Sequence, residues 1–212
     1  VPYPPTHRAQ GADRGEDRGG EELKEMKEIR IHARAGQGAI TAAMLLATAA
    51  FEEGKHSLAF PHFGSERMGA PLNAFVRLGT TPIRVRSQVR TPDYVIVQDP
   101  TLLKSFDVIA GLKPGGVVLV NTLQSAVELA LDTREQVVTV AASRIAEEVI
   151  GRSDRANTAL LGAFAAATGE VSLESLQKVA LTRFPGLAGE MNAQALQQAY
   201  DSVKKQKKGS GT

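Results

Sequence analysis

The chain has no cysteine and no tryptophan among its 212 residues. Without thiolates it can form no disulfide and can hold no cysteine-ligated iron–sulfur cluster, so both are excluded from this chain. No apolar run reaches the roughly 18 residues that span a bilayer, and the N-terminus lacks the apolar core of an export signal. We therefore expect a cytoplasmic protein without a membrane partner.

The chain also lacks a large excess of charge of either sign, because 25 Lys and Arg nearly balance 23 Asp and Glu. The excess positive charge is concentrated near the C-terminus, at Lys204, Lys205, Lys207 and Lys208. The folded body therefore gives no indication of nucleic-acid binding. His56 and His62 lack the clustered spacing of a metal site, so we predict neither a metal ligand nor a catalytic residue in this chain.

The length and the hydrophobic content of 42% are sufficient for one full-sized core. Residues 1–25 are rich in Pro, Gly, Arg and Glu, and we expect them to form a disordered extension. Residues 26–203 are predicted to form a single domain, and residues 204–212 a disordered basic tail. Met26 is the predicted native start.

Alternating strand and helix patterns predict an α/β fold: a Rossmann-like layered domain with a mixed, mainly parallel sheet flanked by helices, and a helical C-terminal part. The predicted strands are 29–33, 72–78, 83–86, 94–98, 117–121 and 137–140. Segments 72–78 and 83–86 are predicted to form a hairpin, while 94–98 and 117–121 have the apolar character of central parallel strands. The predicted helices are 39–53, 102–109, 125–131, 145–150, 160–167, 173–183 and 192–203.

A glycine turn, Gly36-Gln37-Gly38, connects the first predicted strand to the first helix. Glycines let the backbone bend sharply and let its N–H groups approach an anion, which makes this turn a candidate phosphate cradle. Arg34 is the candidate cation beside it. A turn that needs only steric room, with a surface arginine next to it, is the alternative. The spacing of three glycines and the acidic residue of a nicotinamide site are both missing.

A second loop runs over residues 60–71. Two prolines and two glycines fix its backbone path: Pro61, Gly64, Gly69 and Pro71. The loop is therefore predicted to be rigid. Its adjacent charges, Glu66 and Arg67, either meet a substrate, cofactor or partner subunit or form an ion pair that braces the loop. Phe60 is a candidate anchor in the core or in an interface. Farther along, Asn157 is predicted to be a helix cap or a buried hydrogen-bonding residue.

Three motifs in this order resemble the gamma subunit, or the fused gamma domain, of the 2-oxoacid:ferredoxin oxidoreductases. They are Ala35-Gly36-Gln37-Gly38, the Phe-Pro-x-x-Gly-x-Glu-Arg-x-Gly-Ala-Pro pattern of residues 60–71, and the Asn-Thr-x-x-Leu-Gly-Ala pattern of residues 157–163. The resemblance extends from about residue 29 to residue 200. Ala33 and Ala35 stand where the family often has glycine.

The resemblance implies an accessory role in a larger enzyme. In this family the complex oxidatively decarboxylates a 2-oxoacid on thiamine diphosphate, transfers the acyl group to coenzyme A and passes electrons through iron–sulfur clusters to ferredoxin. Thiamine diphosphate, Mg and the clusters are expected in the partners, namely thiamine-binding alpha and beta subunits and a ferredoxin-like delta subunit. This chain is expected to complete the assembly and to contact coenzyme A through Gly36, Gln37 and Gly38, with pyruvate as the expected substrate.

Two alternatives remain open at this stage. The first is a scaffold subunit of the same complex that binds no ligand, so that the glycine turn and the 60–71 loop serve only folding and docking. The second is a free-standing nucleotide-binding α/β enzyme, in which Asp93 or Asp99 would contact the ribose.

Overall fold

The structure, a computed structural model, describes residues 26–62 and 68–209. Six strands form one sheet in the order β2-β3-β1-β4-β5-β6. The strands are β1 Met26–Arg34, β2 His56–His62, β3 Pro71–Gly79, β4 Tyr94–Val97, β5 Val117–Asn121 and β6 Gln136–Val140. Strands β1, β4, β5 and β6 are parallel, whereas β3 runs antiparallel to both β1 and β2. The predicted α/β class with a mixed, mainly parallel sheet is confirmed.

The helices account for most of the remaining ordered chain. They are α1 Ala39–Glu52, α2 Ala126–Leu129, α3 Ala142–Ile150, α4 Ala156–Thr168, α5 Leu173–Arg183 and α6 Leu187–Gly209, with two 3-10 turns at Pro100–Lys104 and Ser153–Arg155. Serines that accept hydrogen bonds from backbone N–H groups cap α2 and α5, through Ser125 and Ser172. Within the described ranges, no helix combines the length and the apolarity needed to cross a membrane.

The five longer helices, α1 and α3 to α6, share one large apolar core with one face of the sheet. Ile31, Ile96 and Leu119 are sheet residues in this core. The opposite face carries a smaller core, in which Val97 and Val120 of the sheet meet Leu102 of the 3-10 turn. The sheet is therefore covered by a thick layer on one face and a thin layer on the other. Ligand sites of open α/β sheets lie at the carboxyl ends of the parallel strands.

One predicted strand is absent and an unpredicted one takes its place. Residues 83–86 form no strand, and Val85 is half exposed. The neighbour of β3 is instead β2, in which Phe60 pairs with Phe75. The strand was not predicted because it contains Pro61, which has no backbone N–H to donate to a neighbouring strand. An edge strand such as β2 tolerates that loss.

Several predicted helix boundaries also differ from the structure; for example, α4 begins at Ala156 and α6 at Leu187. The helix predicted over residues 102–109 is only the 3-10 turn Pro100–Lys104 followed by turns. The tail predicted to be disordered from residue 204 continues α6 as far as Gly209. The side chains of Gln206 and Lys207 donate hydrogen bonds to the carbonyls of Thr139 and Ala167, and these contacts hold the last turns against the body.

Candidate functional site

The glycine turn lies at the carboxyl end of β1, between that strand and α1. Gly36 (φ +97°) and Gly38 (φ +78°) adopt left-handed backbone conformations that favour glycine. A Cβ on Gly36 would lie 2.8 Å from the Met68 sulfur, and one on Gly38 would lie 2.8 Å from Asn157 Nδ2. The backbone conformation favours glycine at both positions, and at Gly38 the buried Asn157 side chain also leaves no room for a Cβ.

The side chain of Gln37 holds the turn from inside. Its Oε1 accepts a hydrogen bond from the backbone N–H of Arg34 (2.8 Å), and its Nε2 donates to Asp99 Oδ2 (2.8 Å). The Gln98 amide donates to the Gln37 carbonyl, while the Gln98 Oε1 is buried without a partner among the described residues. Both ends of the Gln37 side-chain amide are thus engaged within the protein, and its backbone N–H donates to the Arg34 carbonyl (3.1 Å).

Arg34 is tied to the loops on either side of the turn. Its Nη1 donates to the Gly69 carbonyl (3.0 Å), its Nη2 donates to Thr101 Oγ1 (2.9 Å), and its Nε lies 3.3 Å from Asp99 Oδ2. These contacts make Arg34 a brace of the turn. The contact with a phosphate that the sequence predicted for it stays a prediction.

Asp99 is the acidic centre of this brace. Burial opposes its ionisation, but hydrogen bonds from Thr101 and Gln37 and the charge of Arg34 together hold the pKa of Asp99 below its ordinary value. Asp99 is therefore ionised at neutral pH and engaged by three residues. Asp93, the other proposed ribose contact, precedes β4 and therefore lies at the amino ends of the parallel strands, opposite the turn. It accepts hydrogen bonds there from the Glu28 N–H and from Lys113 Nζ.

The second motif docks directly on the first. The Ala35 N–H donates to the Ala70 carbonyl (2.8 Å), and the Gly69 N–H donates to the Ala35 carbonyl (3.2 Å). At the other end of the motif, the Phe60 ring packs against Phe75 at 5.3 Å between centroids, with Pro61 following it in β2 and Pro71 opening β3. Gly64, Glu66 and Arg67 lie outside the described residues, so the predictions on them stay predictions.

The third motif completes the contact. Asn157 lies in the first turn of α4, is only 6% exposed, and donates from Nδ2 to the Gly38 carbonyl at 3.2 Å. The structure shows no side-chain cap on α4, so of the two predicted roles the buried hydrogen-bonding role applies. Three motifs that are far apart in the sequence therefore meet around one turn.

Sequence reasoning missed a group of arginines on the α1 side of the turn. A cavity of about 340 Å³ is lined by Gly38 and Asn157 together with Arg152, Arg155 and Arg183. Arg152 and Arg155 could have been predicted from the sequence, because they lie within five residues of Asn157. Arg183 ends α5, and only the fold brings it to the turn.

A further polar cluster lies on the face of β1 that carries no long helix. Arg30 donates to the carbonyls of Val108 (3.0 Å) and Ala110 (2.7 Å), and its Nε donates to His32 Nε2 (3.0 Å). Burial and, next, the charge of Arg30 lower the pKa of His32 to about 4, so the imidazole is neutral at physiological pH. This cluster fastens loops onto the sheet.

The match to known proteins decides the family. The family described as pyruvate ferredoxin/flavodoxin oxidoreductase matches residues 28–202.

The chain belongs to this family.

Solved and curated relatives agree with that assignment. The chain is 57% identical over 152 residues to the pyruvate synthase subunit PorC of Methanosarcina barkeri, covering 72% of this chain and 83% of that protein. It is 50% identical over 181 residues to the common gamma subunit of the pyruvate/ketoisovalerate oxidoreductases of Thermococcus kodakarensis, covering 84% and 97%. A crystal structure of pyruvate oxidoreductase subunit PORC from Thermotoga maritima superposes with a TM-score of 0.74 at 40% identity, covering 84% and 97%.

These findings confirm the predicted resemblance to a gamma subunit of this family. Over residues 26–62 and 68–209, no group of three or more His, Asp or Glu side chains is placed to hold a metal ion. The turn has glycine backbone and arginines on one side and a braced carboxylate, Asp99, behind it.

Proposed function

We propose that this chain serves as the gamma subunit of a 2-oxoacid:ferredoxin oxidoreductase, with pyruvate as the substrate, and that it helps to bind coenzyme A at Gly36, Gln37 and Gly38. The complex decarboxylates the 2-oxoacid and transfers the acyl group to coenzyme A, and the electrons leave to ferredoxin. Thiamine diphosphate and Mg are assigned to the alpha and beta subunits, and the iron–sulfur clusters to a ferredoxin-like delta subunit, in keeping with a chain that has no cysteine.

The observation that carries the coenzyme A assignment is the form of the glycine turn. Gly38 is the N-cap of α1, a helix of 14 residues, and its side of the turn opens into a cavity. The first N–H groups of such a helix have no partner within the helix and attract phosphate oxygens. Coenzyme A is the phosphorylated substrate of the complex, so the turn has the chemistry to receive it.

The loop beside the turn supports a place in an assembly. Met68 is 88% exposed although its sulfur reaches Gly36. A single exposed apolar side chain is ordinary on a protein surface, so what supports an interface here is that Met68 belongs to the 60–71 motif by which this chain resembles the family. We therefore assign the 60–71 loop to the interface with a thiamine-binding subunit.

The proposal is tested by Gly38→Val in the reconstituted complex. The valine Cβ would displace Asn157 and narrow the cavity, so we expect the KM for coenzyme A to rise about tenfold, equivalent to about 1.4 kcal/mol of binding free energy. Electron release from pyruvate before coenzyme A is added should stay within twofold of wild type. The matched control is Gly169→Val, at φ +73° with nothing within 4 Å of a Cβ.

An unchanged KM for coenzyme A in a correctly assembled Gly38→Val complex would contradict the coenzyme A assignment. The scaffold alternative would then stand. One observation favours the scaffold alternative: the side-chain amide of Gln37 is hydrogen-bonded to Arg34 and Asp99 instead of facing the cavity. The free-standing nucleotide enzyme lacks such support, since Asp93 lies at the wrong edge of the sheet and Asp99 is already engaged.

A further inference from the structure

A second cavity, of about 560 Å³, lies on the thinly covered face of the sheet. Its floor is formed by two cross-strand pairs of β1 and β3, Arg30 with Phe75 and His32 with Asn73. One wall is the loop at residues 88–90, and the other comes from the chain between residues 102 and 111. Small-molecule sites commonly have volumes of about 300–1,000 Å³, so this cavity has the size of a ligand site.

The floor of the cavity contains a buried positive charge. Arg30 is only 8% exposed and makes no ion pair with a described residue. Four of its five N–H groups donate to uncharged acceptors, namely His32 Nε2 and the carbonyls of Val89, Val108 and Ala110. The fifth, on Nη1, has no partner among the described residues. Because a buried cation is costly unless an anion compensates it, this position favours an anion.

The other charges around the cavity select an anion with a single charge. Besides the histidines, the charged residues of the lining are Arg30, Arg90 and Asp107, which leave a net charge of +1. Arg90 is exposed and makes no ion pair with a described residue. A carboxylate matches this charge and the paired donors of a guanidinium, whereas Asp107 would repel a phosphate dianion more strongly.

The rest of the lining is largely apolar. Leu102 and Phe75 are buried, and Phe106 lines the cavity although it is 49% exposed. The ring of Phe106 can therefore pack against the body of a ligand. The amides of Asn73 and Gln88 also line the cavity. A mainly apolar lining with a few polar groups is typical of sites for small organic molecules.

We infer that this cavity binds a small monocarboxylate with an apolar body, its carboxylate between Arg30 and Arg90 and its body against Leu102 and Phe106. The cavity and α1 lie on opposite faces of the sheet. Binding of the carboxylate is therefore independent of the proposed contact with coenzyme A.

Isothermal titration calorimetry of the full chain with phenylacetate tests the site. We expect one phenylacetate per chain. Phenylacetamide, which lacks the charge, and acetate, which lacks the apolar body, should each bind at least tenfold more weakly. Arg90→Gln should weaken the binding of phenylacetate at least tenfold, and Phe106→Ser at least fivefold. Arg84→Gln is the charge-matched control and should bind as the wild type does, because Arg84 is exposed on the same loop and does not line the cavity.

Each other outcome overturns a stated part of the proposal. No binding of phenylacetate to the wild type, or equal binding of phenylacetamide, overturns the carboxylate site. Inorganic phosphate that binds as tightly as phenylacetate overturns the choice of a monoanion. Equal affinities of Arg90→Gln and Arg84→Gln overturn the role of Arg90. Gly38→Val should bind phenylacetate as the wild type does, and a loss there would overturn the assignment to this face of the sheet.

Discussion

At the scale of single residues, the buried pair Arg30 and His32 makes the free energy of unfolding depend on pH. His32 accepts the hydrogen bond from Arg30 Nε, so a proton on its Nε2 would break that bond and place two cations side by side. The folded-state pKa of His32, about 4, lies below its ordinary value of 6.5. The unfolded chain therefore gains a proton that the folded chain does not bind between these two pH values.

We predict that the free energy of unfolding falls by about 3 kcal/mol as the pH decreases from 6.5 to 4 because of His32 alone. Above pH 6.5 the full stability is present, and below pH 4 this residue adds no further loss. His32→Gln retains an acceptor for Arg30 and should remove this part of the slope. Denaturant unfolding at several pH values checks it.

The exposed His56 provides the control, because His56→Gln should reproduce the wild-type slope. Asp99 titrates in a lower window: its pKa is already below its ordinary value, so its contribution is lost only as the pH falls through that lowered pKa. Parallel slopes for His32→Gln and the wild type between pH 6.5 and 5 would contradict the prediction.

At the scale of elements, α4 and α6 approach each other closely at Gly162. A Cβ on Gly162 would overlap the Leu196 carbonyl oxygen and lie 2.7 Å from its carbonyl carbon. We predict that Gly162→Ala lowers the free energy of unfolding by about 2 to 3 kcal/mol, because the two helices must separate to admit the methyl group. Thermal and denaturant unfolding measure this change.

Gly209→Ala is the control for helix propensity, since a Cβ there meets nothing within 4 Å. It should be neutral or slightly stabilising. If Gly162→Ala were as stable as the wild type, the close packing of α4 on α6 would be wrong.

The elements also show where sequence patterns are sufficient. The bounds of α5, and the parallel pair β4 and β5, followed from local periodicity and buried valine and isoleucine runs. Strand β2 did not, because its partner β3 supplies the pairing that Pro61 weakens locally. In the site, the glycine turn was visible from the sequence. The contact of Asn157 with Gly38 and the position of Arg183 depend on tertiary packing, which no local pattern contains.

At the scale of the whole molecule, the proposed interface places Met68 on the face that meets the rest of the complex. Met68 lies at the edge of the sheet that carries the glycine turn, beside Ala35. We predict that Met68→Lys lowers the yield of assembled complex at least fivefold, because a charge would be buried in the interface, while the free energy of unfolding of the chain stays unchanged. Co-purification with the partner subunits and native mass measure the yield.

Val85→Lys serves as the matched control. Val85 is also exposed, but its carbonyl accepts a hydrogen bond from Arg77 near Glu28, at the opposite edge of the sheet. It should assemble as the wild type does. Equal yields for the two variants would argue against the assigned interface.

The hydrogen bond from Asn157 to the Gly38 carbonyl joins residues 119 positions apart in the chain. A contact of this sequence separation forms only after most of the chain has been synthesised and collapsed. The cavity lined by Gly38 and Asn157 is therefore completed late in folding, and a partly folded chain does not present it. A ligand or partner that must touch both Gly38 and Asn157 would therefore distinguish the folded chain from a partly folded one.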